Sequence, residues 1–300
     1  MHLDRPGASR PARERARREA AVAAVAARWG GAPRPLALDA RAGVVVFAAC
    51  RGERLDRAVR RLRGRRDAGA RGELAGAVHA AGRWLARFQR IPADELAPLL
   101  GEPAGRDRDS ILEQALADLA ACRRRRLLGR RPRPARLEAA LRRLAAAPAI
   151  ADADPVPVHG DLWPGNLFVA DGRAAAIDFE GTRLGHPLAD AAYFLVDLDL
   201  FLLRPGLAGL RAELTHAFLA GWGGHRTEDG PAFTSFRAAA ALAHLALEGE
   251  GGATAGPRAR LGRRLRVRSL RAELARAVGT AEAAAPGAPP AAAVHEEARW

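Results

Sequence analysis

Three aspartates (Asp161, Asp171 and Asp178), an asparagine and a histidine fall within VHGDLWPGNLFVADGRAAAIDFEG, Val158 to Gly181. Asp161 and Asn166 flank a turn marked by Pro164 and Gly165, and Asp178 closes the apolar run Ala174 to Ile177. This set of oxygen-bearing side chains suits phosphoryl transfer, where the protein's work is positioning and charge neutralisation. One carboxylate orients an attacking hydroxyl and accepts its proton. Other oxygens hold Mg²⁺ against phosphates, since Mg²⁺ prefers carboxylates, carbonyls and water.

Short strands must carry these residues. Pro155 to Val158, Leu167 to Val169 and Ala174 to Phe179 read as strands, with Asp171-Gly172 as a hairpin turn. A hairpin there brings Asp161, Asn166 and Asp178 to one sheet edge. Upstream, residues 11 to 29 read as a helix closed by Gly30, Gly31 and Pro33, followed by strands at Pro35 to Leu38 and Gly43 to Ala49. The pattern is helical from Glu53 to Gln89, from 110 to 128 and from 135 to 147. After Pro187 it is helical again over 188–203, 206–222, 231–248 and 258–278. The final AEAAAPGAPPAAAVHEEARW reads as disordered.

Composition narrows the class. Hydrophobic residues make up 49% of the 300, dominated by alanine, which favours helix. No run of eighteen apolar residues suggests a membrane span, and the charged N-terminal stretch lacks the apolar core of a secretory signal. Cys50 and Cys122 are too few for a disulfide framework, so a reducing, cytoplasmic setting is expected. The formal charge is +14, and all 48 basic residues are arginine. The densest cluster, Arg123 to Arg136, has no aromatic residue for base stacking. It reads as a solvated helix end and loop, and no nucleic-acid partner is expected.

The ordered set H-G-D-x-x-x-x-N followed by I-D-F-E resembles the catalytic and metal loops of the aminoglycoside phosphotransferase and choline kinase-like family. The resemblance implies a protein-kinase-like fold, α+β in class, with a mainly helical C-lobe. It implies Asp161 as catalytic base, Asn166 and Asp178 as Mg²⁺ ligands, and His159 as a buttress of the loop. GTRLGHPLADAAYFL, Gly181 to Leu195, resembles the family's following turn and helix, with Asp190 bracing the catalytic loop. VVVFAACRGERL, Val44 to Leu55, is similar to the last N-lobe strand and the hinge, so the backbone of Ala48, Ala49 and Cys50 would bond adenine. GRWLARFQRIP resembles the helix before the family's variable insertion, with Gln89 where histidine is common. The cofactors implied are ATP and Mg²⁺, and the partner is a small molecule with an acceptor hydroxyl.

The resemblance covers roughly residues 15 to 250, and its N-lobe is truncated. Glu19, with Glu14 second, best matches the family's ion-pair glutamate, but no glycine-rich loop precedes it and the chain contains no lysine. Three accounts stay open: a chain that starts late, a degenerate binding protein of the same fold, or an arginine such as Arg5 or Arg10 in the lysine's place. The expected layout is a residual N-lobe over 1–52, a C-lobe over 53–278 and a disordered tail over 279–300. Asp197 and Asp199 read as a solvated helix face, and His186 as a turn cap. With so little local acid, a neutral or anionic acceptor is favoured over a polycation.

Overall fold

The alanine-rich stretch Ala12–Arg28 forms helix α1, burying Ala16, Ala20, Val22, Ala23, Val25 and Ala26 along one side. In this computed structural model residues 11–65, 67–100, 107–129, 132–147, 153–204, 206–223, 230–249 and 257–284 are described. Arg5 and Arg10 lie outside them. Strands β1 (Pro35–Asp39) and β2 (Val44–Phe47) pair antiparallel, with Leu38 opposite Val45. Asp39 closes the connecting turn by accepting the N–H groups of Arg41 and Ala42 at 2.9 and 3.0 Å.

The helical pattern from Glu53 to Gln89 is not one helix. Glu53–Arg54 is a short strand (β3), Leu55–Leu62 is α2, and Ala68–Phe88 is α3. The chain breaks at Gly64 because Asp67 caps α3, its carboxylate accepting the N–H of Ala70 at 2.8 Å. Helix α4 (Ala93–Leu100), which carries Pro98 inside it, was not expected from the sequence. Its burial of Leu96 and Leu100 accounts for it better than propensity does.

The short strands come next. They are β4 (Val156–Val158), a single 3₁₀ turn at Pro164–Asn166, β5 (Leu167–Ala170), β6 (Arg173–Ala176) and β7 (Arg183–Gly185). β6 ends at Ala176, so the last three residues of the expected strand, Ile177 to Phe179, lie outside it. Asp171 and Gly172, with φ of 50° and 67°, make the tight hairpin turn between β5 and β6. β3, β5 and β6 form one antiparallel sheet, while β4 pairs with the unforeseen β7. Helices α7 (Leu188–Phe201) and α8 (Ala208–Trp222) complete this part.

The chain divides into two compact units: Met1–Ser110 with Asp152–Glu228, and Ile111–Ala151 with Asp229–Trp300. In the first, α3 is the central post. Trp84 Nε1 donates to the Gly31 carbonyl at 2.6 Å, and the same oxygen accepts Ala176 N–H at 2.9 Å. One carbonyl thereby ties the end of α1 to α3 and to β6. Helix α8 touches α3 backbone to backbone. A Cβ added to Gly82 would stand 2.1 Å from the Phe218 carbonyl, and one on Gly221 would stand 2.2 Å from the His79 carbonyl. Gly221→Ala must therefore push the helices apart, at an expected loss of about 1–3 kcal/mol. A lowered urea midpoint would show it, and an unchanged midpoint would contradict the close crossing.

The second unit is helical, containing most of α5 (Asp107–Arg124) with α6 (Pro134–Ala145), α9 (Pro231–Glu248) and α10 (Pro257–Ala283). Helix α10 runs into the segment expected to be disordered, as far as Ala283. Ala281 is fully buried, its carbonyl accepts from Arg143, and Glu282 pairs with Arg136. Residues 285–300 of that expected tail lie outside the described residues. Glu273 is buried between Arg237, at 2.7 and 3.0 Å, and Arg276. Burial pushes its carboxyl up, but the two guanidinium groups outweigh it and hold the carboxyl below the usual glutamate range. A depressed folded value adds stability that is complete above the unfolded value and is lost as pH falls through the folded one. Glu273→Gln is thus expected to destabilise at pH 7 and to lessen acid sensitivity. Urea midpoints at pH 7 and pH 3 measure both, and an equal loss at the two values would contradict the pairing.

Candidate active site

The segment Val158 to Gly181 folds into two adjoining loops in the first unit. The first leaves β4 at His159, runs through Asp161 and reaches the turn Pro164–Asn166. The second leaves β6 at Ile177 and carries Asp178.

Asp190, two residues into α7 and buried, fixes the first loop. Its Oδ2 accepts the N–H of His159 at 2.7 Å and its Oδ1 that of Gly160 at 3.0 Å. Burial pushes this carboxyl up, opposed by His159 and the two backbone donors. Gly160 has φ of 83°, and a Cβ there would lie 2.2 Å from the Gly181 carbonyl. Only glycine lets the two loops approach so closely.

His159 is fully buried among Phe179, Trp84 and Phe88, with ring centroids 5.1, 5.8 and 6.3 Å away. The Asp161 N–H donates to its Nδ1 at 3.3 Å, which assigns the proton to Nε2, and Nε2 donates to the Ile177 carbonyl at 3.0 Å. Asn166 works from the other side. Its Nδ2 donates to the Asp161 carbonyl at 3.0 Å and to Asp161 Oδ2 at 3.1 Å, while its own carbonyl accepts Ile177 N–H at 3.0 Å. Ile177 is held at both ends by the first loop, and the next residue is Asp178. Asp178 sits in the left-handed region with φ of 68°, where aspartate is better tolerated than most side chains.

Asp161, Asn166 and Asp178 thus belong to one bonded unit. Burial pushes the Asp161 carboxyl up; His159 opposes this, and the charges of Asp178 and Asp197 add to it. Asp197 is a correction to the sequence reading. It is 9% exposed rather than on a solvated face, because it lies two turns after Asp190 on α7 and so shares its inward side. That i, i+7 spacing was the available signal. Asp199 is also largely covered and lies 3.7 Å from Arg211 Nε. His186 caps α7, its Nδ1 accepting Leu188 N–H at 3.1 Å. Gln89 ties helices together, donating to the Pro187 carbonyl at 2.7 Å and accepting from Trp222 Nε1 at 2.9 Å. A side chain with both donor and acceptor is needed there.

The donor set fits a hard divalent cation that arrives with phosphates. With the Asn166 amide nitrogen engaged by Asp161, its side-chain oxygen is the atom left to serve a cation, and Asp161 and Asp178 bring carboxylates on the same two loops. Among the described residues no three His, Cys, Asp or Glu side chains cluster as a metal site by themselves. Mg²⁺ commonly uses one or two carboxylates and takes its other ligands from water and substrate.

Ala49 and Cys50 line a cleft of about 500 Å³ with Arg51 and Phe168. Burial pushes the Cys50 thiol up. Ala48 N–H bonds the Arg34 carbonyl at 2.8 Å, continuing the β1–β2 pairing. Asp161, Asn166 and Asp178 are not among the residues lining this cleft. Glu19 is half-buried on α1. Arg15 and Arg18, two α1 residues not singled out from the sequence, contact the second loop.

Several proteins of known structure are similar to this chain in fold. The chain is similar to a choline/ethanolamine kinase family protein from Mesorhizobium loti, at 19% identity and TM-score 0.55 over 89% of this chain and 84% of that one. It is similar to a glucosamine kinase at 20% identity and TM-score 0.54, over 88% and 70%. It is also similar to the amicoumacin kinase hAmiN, solved with AMP-PNP, Ca²⁺ and Ami, at 16% identity and TM-score 0.52 over 87% and 79%. At these identities the likeness is one of fold, the protein-kinase-like α+β fold. No curated protein sequence matches. The family model described as "Phosphotransferase enzyme family" matches residues 3–229. With three quarters of its length matched, the chain belongs to the phosphotransferase enzyme family.

Proposed function

We propose that the protein transfers the γ-phosphoryl group of ATP, with Mg²⁺, to a hydroxyl of a small molecule. The observation that carries this reading is Ile177, bonded at its N–H by Asn166 and at its carbonyl by His159. Those bonds hold Asp178 beside the loop that contains Asp161. Asp161 would orient the acceptor hydroxyl and take its proton. Asn166 Oδ1 and the Asp178 carboxylate would hold the cation, which supplies neutralisation of the phosphate charge. The backbone of Ala48 to Cys50 would bond adenine, and Glu19 would face the nucleotide from α1. His159 and Asp190 keep the loop in place without touching the reactants.

A screen for ADP release over small alcohols, sugars and amino alcohols tests this reading. Turnover that requires Mg²⁺ and one class of acceptor is expected. A second reading, a binding protein of the same fold, is favoured by one observation: no lysine occurs in the 300 residues to pair with phosphates. Its signature is Mg²⁺-dependent nucleotide binding with no ADP release for any acceptor.

A further inference from the structure

Helix α1 carries Arg15 and Arg18 one turn apart, and both reach the stretch just after Asp178. Arg18 Nη2 donates to the Thr182 carbonyl and Nη1 to the Glu180 carbonyl at 3.5 Å. Arg15 Nε lies 3.2 Å from Glu180 Oε1. Thr182 is fully buried, and its N–H closes a turn onto the Phe179 carbonyl at 3.1 Å. Between the two carbonyls that Arg18 bonds lies Gly181, whose own carbonyl abuts Gly160 of the catalytic loop.

Asp178 is therefore held from two directions. Upstream, the catalytic loop pins Ile177. Downstream, no strand begins until Arg183, and the fixed points include the Phe179–Thr182 turn and the guanidinium of Arg18. A left-handed backbone at a residue with a side chain persists only where its surroundings hold it. A guanidinium is suited to this task, since its planar fork can bond two carbonyls at once, whereas an ammonium is a single point. Arg15 and Glu180 keep 36% and 26% of their side chains exposed, and an ion pair so placed contributes little.

We infer that Arg18 is a positioning residue for the metal loop: by bridging the Glu180 and Thr182 carbonyls it locks Asp178 in place and makes the seating of α1 a condition of the cation site. The consequence for the cation rests on the function proposed above; the bridge does not. Hydrogen exchange in the full-length, ligand-free protein separates the two. In Arg18→Ala the amides of 178–183 are expected to exchange about tenfold faster, the size of effect that the loss of one or two net hydrogen bonds gives. Exchange in α3 should stay unchanged. Arg18→Lys should recover part of the protection, and Arg17→Ala, an exposed neighbour, should behave as wild type. In a second measurement, Mn²⁺ binding in the presence of a non-hydrolysable ATP analogue should weaken about tenfold in Arg18→Ala, as it does when a group orienting a ligand is lost.

Unchanged exchange at 178–183 in Arg18→Ala overturns the inference, as does equal acceleration throughout α3, which would mark a general loss of stability. If the wild type binds no Mn²⁺–nucleotide while Arg18→Ala still loosens 178–183, the proposed function fails and the bridge stands. If Mn²⁺ binds and exchange does not respond, the bridge fails and the nucleotide-dependent cation site stands.

Discussion

Asp161→Asn is expected to lower turnover by about 10³-fold, within the range for loss of a general base, and to leave nucleotide affinity within a few-fold. Asparagine keeps the size of the side chain and an oxygen to accept the Asn166 Nδ2–H bond, so the loop should keep its shape. What it removes is the group that can take the acceptor's proton. The carboxyl is already disfavoured in its charged form by burial and by the charges of Asp178 and Asp197. Replacing it should therefore leave the melting temperature unchanged or raised. The assay is ADP release at saturating ATP beside a thermal melt. A loss in turnover below tenfold with an intact fold would assign the base elsewhere.

Asp190→Ala is expected to cost roughly 3 kcal/mol or more of unfolding free energy, because two buried backbone N–H groups, those of His159 and Gly160, lose their acceptor together. The damage should not stay local. Once His159 shifts, its bond to the Ile177 carbonyl goes with it, so turnover should fall even under conditions where the variant is folded. Asp190→Asn retains one acceptor oxygen and should recover about half of the lost stability. Urea unfolding of the three proteins measures this. Equal midpoints for Asp190→Ala and wild type would show that the loop needs no brace.

The site was legible in the sequence to the extent that its chemistry runs along the chain. His159, Asp161, Asn166 and Asp178 lie within twenty residues, and the turn residues between them, Pro164-Gly165 and Asp171-Gly172, have few backbone alternatives. Asp190 came from the resemblance of Gly181 to Leu195 to the family's following turn and helix. What was illegible depends on distant parts of the chain. With 48 arginines among 300 residues, nothing marked Arg18 as the one that would meet the Thr182 carbonyl, 164 positions away. The break before α3 was hidden because helix formers flank it on both sides; Gly64 weakens the helix there and the Asp67 cap starts the next one. Strand β7 is three residues long and exists by pairing with β4, which no local pattern announces. Asp197 was misjudged for a different reason: its acidic side chain argued for solvent, and its helical register with Asp190 argued, correctly, for the interior.

Asn166 and Asp178 are expected to form one cation site with bound nucleotide, beside Asp161. A Mn²⁺ titration followed by electron paramagnetic resonance, with and without a non-hydrolysable ATP analogue, tests it most directly. One Mn²⁺ per chain is expected, bound tightly only when the nucleotide is present, and weakened by at least about tenfold in Asp178→Asn. No nucleotide-dependent Mn²⁺ binding in the wild type, or binding of equal strength in Asp178→Asn, would contradict it.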